Sequence, residues 1–246
     1  MQAKRRVERP QSNLLRALSE DDYGLIAPYL CHETRSAGDL LYQPGDNVAN
    51  VYFPCGPSLI SYHVTNSDGR DVETVLVGRE GAVGGIVSLG FLPAYCMIVV
   101  KVEGPYVRVP VTSVQAAKDH SPSFKNLFAR YADCLMAQMF QATACNAIHS
   151  IEQRTAKWIL AALDRTGTDK VPLTHEELAA MMGVGRSYTS RVLQGFKRDG
   201  TIETRRGQLV IKDHRAMQKR SCQCNEMVKA HFEMVLRNIY PDESSH

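Results

Sequence analysis

The segment Leu173-Thr-His-Glu-Glu-Leu-Ala-Ala-Met-Met-Gly-Val-Gly-Arg-Ser-Tyr-Thr-Ser-Arg-Val-Leu193 constrains this chain more than any other stretch. Thr174 followed by Glu177 spells a capping box, in which hydroxyl and carboxylate each satisfy a backbone N–H that the new helix leaves unpaired. Leu178 and Met182, four apart, give a first short helix its buried side, and Ala179 is small where a crossing helix must come close. Gly183 falls where a tight turn needs positive φ. Val184, Val192 and Leu193 then bury one side of a second helix. Arg186, Ser187, Tyr188, Ser190 and Arg191 are left to point outward. Two short helices and a tight turn, the second rich in arginine and hydroxyl groups from its first turns, suit the major groove of double-stranded DNA. The segment predicts a helix-turn-helix.

The residues beyond Leu193 extend the pattern. Lys197 and Arg198 lie near the negative C-terminal end of the second helix. Thr201 to Thr204 and Gln208 to Lys212 are two short β-type runs around Arg205-Arg206-Gly207, a hairpin or wing with Arg205 and Arg206 placed for phosphates. Between Val171 and Arg220 there are ten Lys/Arg and five Asp/Glu, whereas the whole chain carries a formal charge of only +3. The positive charge is therefore local, as an electrostatic footprint for nucleic acid should be. The plainer alternative is a small helical domain with a solvated charged face.

A chain of 246 residues exceeds one typical domain and has room for two cores. No apolar run approaches a membrane span, and the polar, basic start Met1 to Gln11 lacks a signal-peptide core, so no membrane partner and a cytoplasmic location are expected. Seven cysteines, at 31, 55, 96, 134, 145, 222 and 224, are odd in number and scattered, unlike a secreted disulfide framework.

Before the motif the chain divides in two. Val51 to Phe53, Leu59 to Val64, Val72 to Val77 and Met97 to Val102 are short β-type runs. They are separated by turn signals at Pro44-Gly-Asp46, Asn66-Ser-Asp-Gly69 and Gly104-Pro105, the pattern of a small sandwich or barrel. A helical stretch, Asn13 to Leu30, precedes them. From Ser123 to Asn146 there is neither Gly nor Pro, and Phe128, Ala132, Leu135, Met139 and Ala142 form a stripe at three- and four-residue spacing. Ser150 with Gln153 caps a further helix running through Trp158 to about Leu163, and the loop Thr166 to Lys170 leads into the motif. Gly167 in that loop reads either as a hinge or as a helix C-cap. The fold class is α+β, with boundaries at 1–122 for the β-rich part, 123–149 for the long helix and 150–246 for the motif domain.

This order, together with Ile151-Glu-Gln-Arg-Thr-Ala-Lys-Trp-Ile-Leu160, Leu173 to Leu193 and Leu41-Tyr-Gln-Pro-Gly-Asp46, resembles the Crp/Fnr family of bacterial transcription regulators. The resemblance implies a double-stranded β-helix or jelly-roll barrel of the cyclic-nucleotide-binding type, a long dimerisation helix and a C-terminal winged helix-turn-helix. It implies a homodimer on a palindromic DNA site, working with RNA polymerase, and a regulator rather than an enzyme. Phe128, Ala132, Leu135, Met139 and Ala142 become the candidate dimer seam; a helix packed only on its own barrel is the alternative. Arg186 and Arg191 match the family's guanine-reading arginines, whose fork pairs with O6 and N7. Ser190-Arg191 is similar to the Ser-Arg pair of the Fnr branch. Ser187 stands where the family's cytosine-reading glutamate is usual. Tyr188 and Thr189 fit phosphate contacts or internal packing, and Thr174 and Lys197 complete the expected DNA-contact set.

In the barrel the same resemblance is informative through departures. Cyclic-nucleotide-binding members carry Gly-Glu-Leu and, about ten residues on, Arg-Ser. Here the matching stretch runs from Gly84 to Cys96. Gly85 replaces the glutamate, Tyr95-Cys96 brings neither arginine nor serine, and Met139 and Phe140 replace the hydroxyl residues that meet adenine. A buried phosphate without its cation is badly compensated, which argues against cyclic AMP. Gly84, Gly85, Tyr95, Cys96, Met139 and Phe140 remain the candidate effector positions. Only Cys31 lies in the first fifty residues, against the N-terminal iron–sulfur cluster of the Fnr branch. Cys145 and His149, four apart, suit two metal or haem ligands or an activated thiolate; packing and a helix-junction histidine form the alternative. They are also the one nucleophile–base pair an enzyme could use, on a helix rather than a strained turn. His32 and His63 fit haem by residue type only. Cys222-Gln-Cys224 is too close for a comfortable disulfide, lacks two further ligands, and reads as part of a solvated tail helix. The expectation is no cofactor and no metal site, with haem or metal at Cys145/His149, or a DNA binder needing no effector, as alternatives.

Overall fold

Short strands cut by turns pair into two antiparallel sheets. In the computed structural model, which describes residues 9–69, 71–87, 92–172, 174–205, 208–237 and 239–240, the first sheet runs β1 (Cys31–Arg35), β8 (Gly104–Pro110), β3 (Asn50–Pro54), β6 (Val83–Gly84). The second runs β2 (Leu40–Tyr42), β7 (Met97–Val102), β4 (Leu59–Thr65), β5 (Asp71–Val77). Alternate residues along β4 and β7 turn inward, as the strand period requires. The two sheets close over Tyr42, Tyr52, Ile60, Val75, Val77, Ile98, Val100 and Tyr106. Tyr42 and Tyr52 meet edge to face with centroids 5.9 Å apart, and the Tyr42 hydroxyl donates to the Asn50 carbonyl at 2.8 Å.

Helices cover the outer face of the first sheet. The expected helix over Asn13 to Leu30 is broken into α1 (Asn13–Ala17) and α2 (Glu20–Ile26). Leu18 is extended, and Ser19 starts the second piece by accepting from the Asp22 N–H at 3.0 Å. After the barrel, α3 (Val111–His120) leads into α4 (Pro122–Ile148), a helix of 27 residues. Ser121 caps α4 and Pro122 takes its first position, where a missing N–H costs nothing.

The stripe expected to form the dimer seam lies mainly on the inner face of α4. Phe128 is 1% exposed, stacked on Phe124 at 4.8 Å and edge-on to Phe53 at 6.3 Å. Leu135 packs against the barrel core, and Ala132 and Ala142 are half-buried. Phe128 is therefore a correction: it has no surface left for a partner. Met139 is the exception, exposed alongside Met136, Phe140 and Ile148 on the outer face.

The third unit begins at α5 (Ile151–Thr166), whose Ser150–Gln153 capping box forms as expected. Gly167 adopts φ 66° as its left-handed C-cap. The loop beyond it contains a strand that no local signal suggests, β9 (Lys170–Pro172), which joins β11 (Gln208–Ile211) and β10 (Ile202–Arg205) in a three-stranded sheet. Helices α6 (His175–Met182) and α7 (Arg186–Arg198) precede the hairpin; α8 (His214–Arg220) and α9 (Cys224–Val235) come after it. Ile159, Leu163, Leu178, Met182, Leu193, Phe196, Leu209 and Met217 form its core, which continues onto Leu59 and Leu76 of the barrel. Helix α9 lies along α4, where Arg130 donates to the Val235 carbonyl at 2.7 Å. No helix among the described residues is long and apolar enough to cross a membrane.

Candidate nucleic-acid interface and the neck behind it

The helix-turn-helix forms from the local signals that predict it. Thr174 accepts from the Glu177 N–H at 3.1 Å while the Glu177 carboxylate accepts from the Thr174 N–H at 2.8 Å. Gly183 ends α6 at φ 68° and Gly185 leads into α7. Leu193 and Phe196 bury one side of α7 completely. Thr189 also turns inward, fully buried with its hydroxyl unpartnered among the described residues, so of the two readings open for it the packed one applies.

The other side of α7 is open. Arg186, Ser187, Tyr188 and Arg191 are exposed, and Ser190 is half-buried with its Oγ 3.1 Å from His175 Nδ1. The Arg191 guanidinium rests 5.3 Å from the centre of the Tyr188 ring. Arg186 approaches Glu176 at 3.9 Å, both exposed, a pairing that costs little to break. Continuing the period down the helix, Gln194 and Arg198 share the exposed face with Ser187 and Arg191. Sequence reasoning omitted Gln194, although its spacing of three from Arg191 was available. Thr174 is exposed beside the helix start and Lys197 is half-buried at its end. On the wing, Arg205 is exposed and paired with Glu203 at 2.9 Å; Arg206 and Leu173 lie outside the described residues.

In the barrel, Gly84 and Gly85 are positions without room for side chains. A Cβ on Gly84 would lie 2.1 Å from the Asn50 carbonyl oxygen, and one on Gly85 would lie 2.5 Å from a Val111 methyl. Tyr95 is exposed and Cys96 half-buried, beyond the undescribed stretch 88–91. Met139 and Phe140, 40% and 71% exposed, point away from their own barrel. His63 is buried, its Nε2 2.7 Å from Ser61 Oγ, and burial pushes its pKa down to about 4, while His32 is exposed on β1.

Barrel and reading head meet through charged and aromatic groups. The Trp158 indole donates to Glu73 on β5, and Arg165 donates to Glu80 at 2.9 Å. Burial pushes the Glu73 carboxyl up to about 7 against the opposing pull of the Trp158 hydrogen bond and of Lys101 and Lys157. Its second oxygen has no hydrogen-bond partner among the described residues.

At the neck between α4 and α5 the structure overturns a further expectation. Cys222 and Cys224 are not on a solvated tail; they are buried against Cys145. Cys145 Sγ and Cys222 Sγ are 3.6 Å apart, and Cys224 Sγ is 3.5 Å from His149 Nδ1. The sulfur contact with Cys145 holds the Cys222 thiol below the ordinary cysteine range and pushes the Cys145 thiol above it. The pairs 145/149 and 222/224 were both visible in the sequence, but nothing local indicates that they meet.

Residues 153–220 match the family described as the Crp-like helix-turn-helix domain. No curated protein matches the chain. Among solved structures, FixK2 from Bradyrhizobium japonicum superposes with a TM-score of 0.66 at 14% identity, over 78% of this chain and 98% of that one. The regulator CLP of Xanthomonas campestris gives 0.64 at 13%, over 79% and 100%. The regulator TTHB099 of Thermus thermophilus gives 0.64 at 17%, over 76% and 95%. These likenesses establish the fold, and the matched domain identifies the reading head. Residues 153–220 are thus a Crp-like helix-turn-helix domain, carried on a chain that shares the fold of these solved structures.

Proposed function

We propose that this protein is a homodimeric regulator that reads a palindromic DNA site with α7 and does so without cyclic AMP. The carrying observation is the open face of α7, where Arg186, Ser187, Arg191 and Gln194 project clear of their own domain. Arg186 and Arg191 supply bidentate contacts to guanine, Tyr188, Thr174 and Lys197 contact the backbone, and the wing adds Arg205 and Arg206. Two copies related by a two-fold axis place two such helices about 34 Å apart, one turn of duplex.

Against cyclic AMP stands the packing of Gly85 on Val111, which leaves no space for a ribose-binding carboxylate. The outward Met139 and Phe140 offer no polar group to a base. The role is regulatory rather than catalytic: the Cys145/His149 pair faces two further cysteines. RNA polymerase is the partner that such a role requires.

Selection from random duplexes followed by footprinting tests the reading. The expected product is an inverted repeat protected symmetrically, with the same affinity whether or not cyclic AMP is present. An asymmetric single site, or tighter binding on adding the nucleotide, would overturn it.

A further inference from the structure

We infer that Cys145, His149, Cys222 and Cys224 form a Zn²⁺ site that clasps the two ends of the reading head. Their ligand atoms all lie within 4.8 Å of one another. A tetrahedral zinc ion holds sulfur at ~2.3 Å and imidazole nitrogen at ~2.05 Å, which sets sulfur pairs ~3.8 Å apart and sulfur–nitrogen pairs ~3.6 Å apart. The observed Cys145–Cys222 and Cys224–His149 separations, 3.6 Å and 3.5 Å, are edges of such a tetrahedron. An iron–sulfur cluster divides its ligands over several irons and spreads them wider than this group is spread.

The surroundings also suit a closed thiolate site. The three cysteines are buried as a group of their own, apart from the apolar cores of barrel and reading head. Three thiolates and a neutral imidazole around Zn²⁺ carry a net single negative charge. Arg154 and Lys157, one turn apart on α5, are close enough to act electrostatically on these sulfurs. Gln141 donates to Cys224 Sγ at 3.2 Å, a support that orients a ligand without being one. Binding displaces the thiol protons to solvent and needs no oxidant or reductant.

The position of the site gives it a purpose. Cys145 and His149 end α4, while Cys222, 77 residues on from Cys145, lies between α8 and α9 and Cys224 opens α9. The matched domain, residues 153–220, is enclosed between the two ligand pairs. A bound ion therefore ties the end of the long helix to the last turn of the reading head and fixes the neck at which the two could swing.

The test is a metal count on the full-length chain by inductively coupled plasma mass spectrometry, as purified and again after stripping with chelator and adding back zinc. About one zinc per chain is expected in both cases, with a melting temperature that falls on stripping and recovers on return. Cobalt(II) in its place should give the visible bands and thiolate charge transfer of a tetrahedral sulfur site. Cys222→Ser and Cys224→Ser should each lose the metal while the exposed-cysteine variant Cys31→Ser keeps it. The wild-type count stands even if those variants fold poorly. No zinc before or after addition, a Cys145–Cys222 disulfide, iron–sulfur absorption, or full zinc in both neck variants would each overturn the inference. None of these measurements uses DNA, so they are independent of the proposed DNA site.

Discussion

Arginine 191 carries the sharpest consequence of any single side chain. It is exposed on the open face of α7 with the Tyr188 ring beside it, and no carboxylate among the described residues competes for its fork. Arg191→Ala should cost about 1–3 kcal/mol of discrimination for the selected site. Binding to random duplex should remain and fall steeply with salt, since phosphate contacts are untouched. Competition gel shifts against specific and random duplex measure both; equal losses on the two would rule out base reading. Arg191→Lys should not restore specificity, because an ammonium cannot present two parallel donors. Ser187 and Arg191 were legible in the sequence because helical period and neighbouring apolar residues fix their direction. Ser190 was only half so, since its contact with His175 depends on how α6 crosses α7.

Helix α4 shows how far an element can be read from its own residues. Two stripes at three- and four-residue spacing run along it. One includes Phe124, Phe128, Tyr131 and Leu135; the other includes Met136, Phe140, Thr143 and Ala147, all exposed. Periodicity finds both but does not say which meets the barrel. The outer stripe is the better seam for a second copy, because a Phe left 71% exposed has apolar area to bury there. Phe140→Asp should convert the proposed homodimer to a monomer without lowering the melting temperature of the monomer, read by light scattering and calorimetry. Phe128→Ala should instead cost about 3–5 kcal/mol of folding stability, because it empties a packed ring site. If Phe128→Ala dissociated a fully stable fold, the inner stripe would be the seam after all.

For the molecule as a whole, the contact between barrel and reading head contains a buried acid. Glu73 binds a proton more tightly when folded, with its pKa raised from 4.5 to about 7, because burial disfavours the charged carboxylate. The folded state therefore holds a proton that the unfolded chain has already released over that window. Linkage then makes this group's contribution to stability fall as pH rises from about 4.5 to about 7 and level off above. His63, 4.0 Å away, has its pKa lowered from 6.5 to about 4, so its own contribution rises with pH over that interval and offsets much of the Glu73 effect. Lys101 and Lys157 act in the opposite sense and reduce the effect without cancelling it. Glu73→Gln removes the falling contribution, so its melting temperature should gain on that of the wild type as pH rises from about 4.5 to about 7. A difference between variant and wild type that did not grow with pH across the same interval would contradict the assignment.

Wherever the physics is local, the order of residues was enough. Thr174 with Glu177 and Ser150 with Gln153 make capping boxes between residues three apart, and Gly183 supplies a turn no other side chain adopts as cheaply. Alternating and helical periods placed β3, β4, β5 and β7 and α4 through α7. Missed were β1, β6, β8 and α3, the break at Leu18, and β9, a three-residue strand that exists only because β11 offers it a ladder. Three things waited on the closed chain: which stripe of α4 faces inward, that Val111 closes over Gly85, and that cysteines 77 residues apart share a site. A helix carries its faces in its own period, but its neighbours are set by how the whole chain closes. That is why the reading head was legible from the start, and the clasp behind it only in the fold.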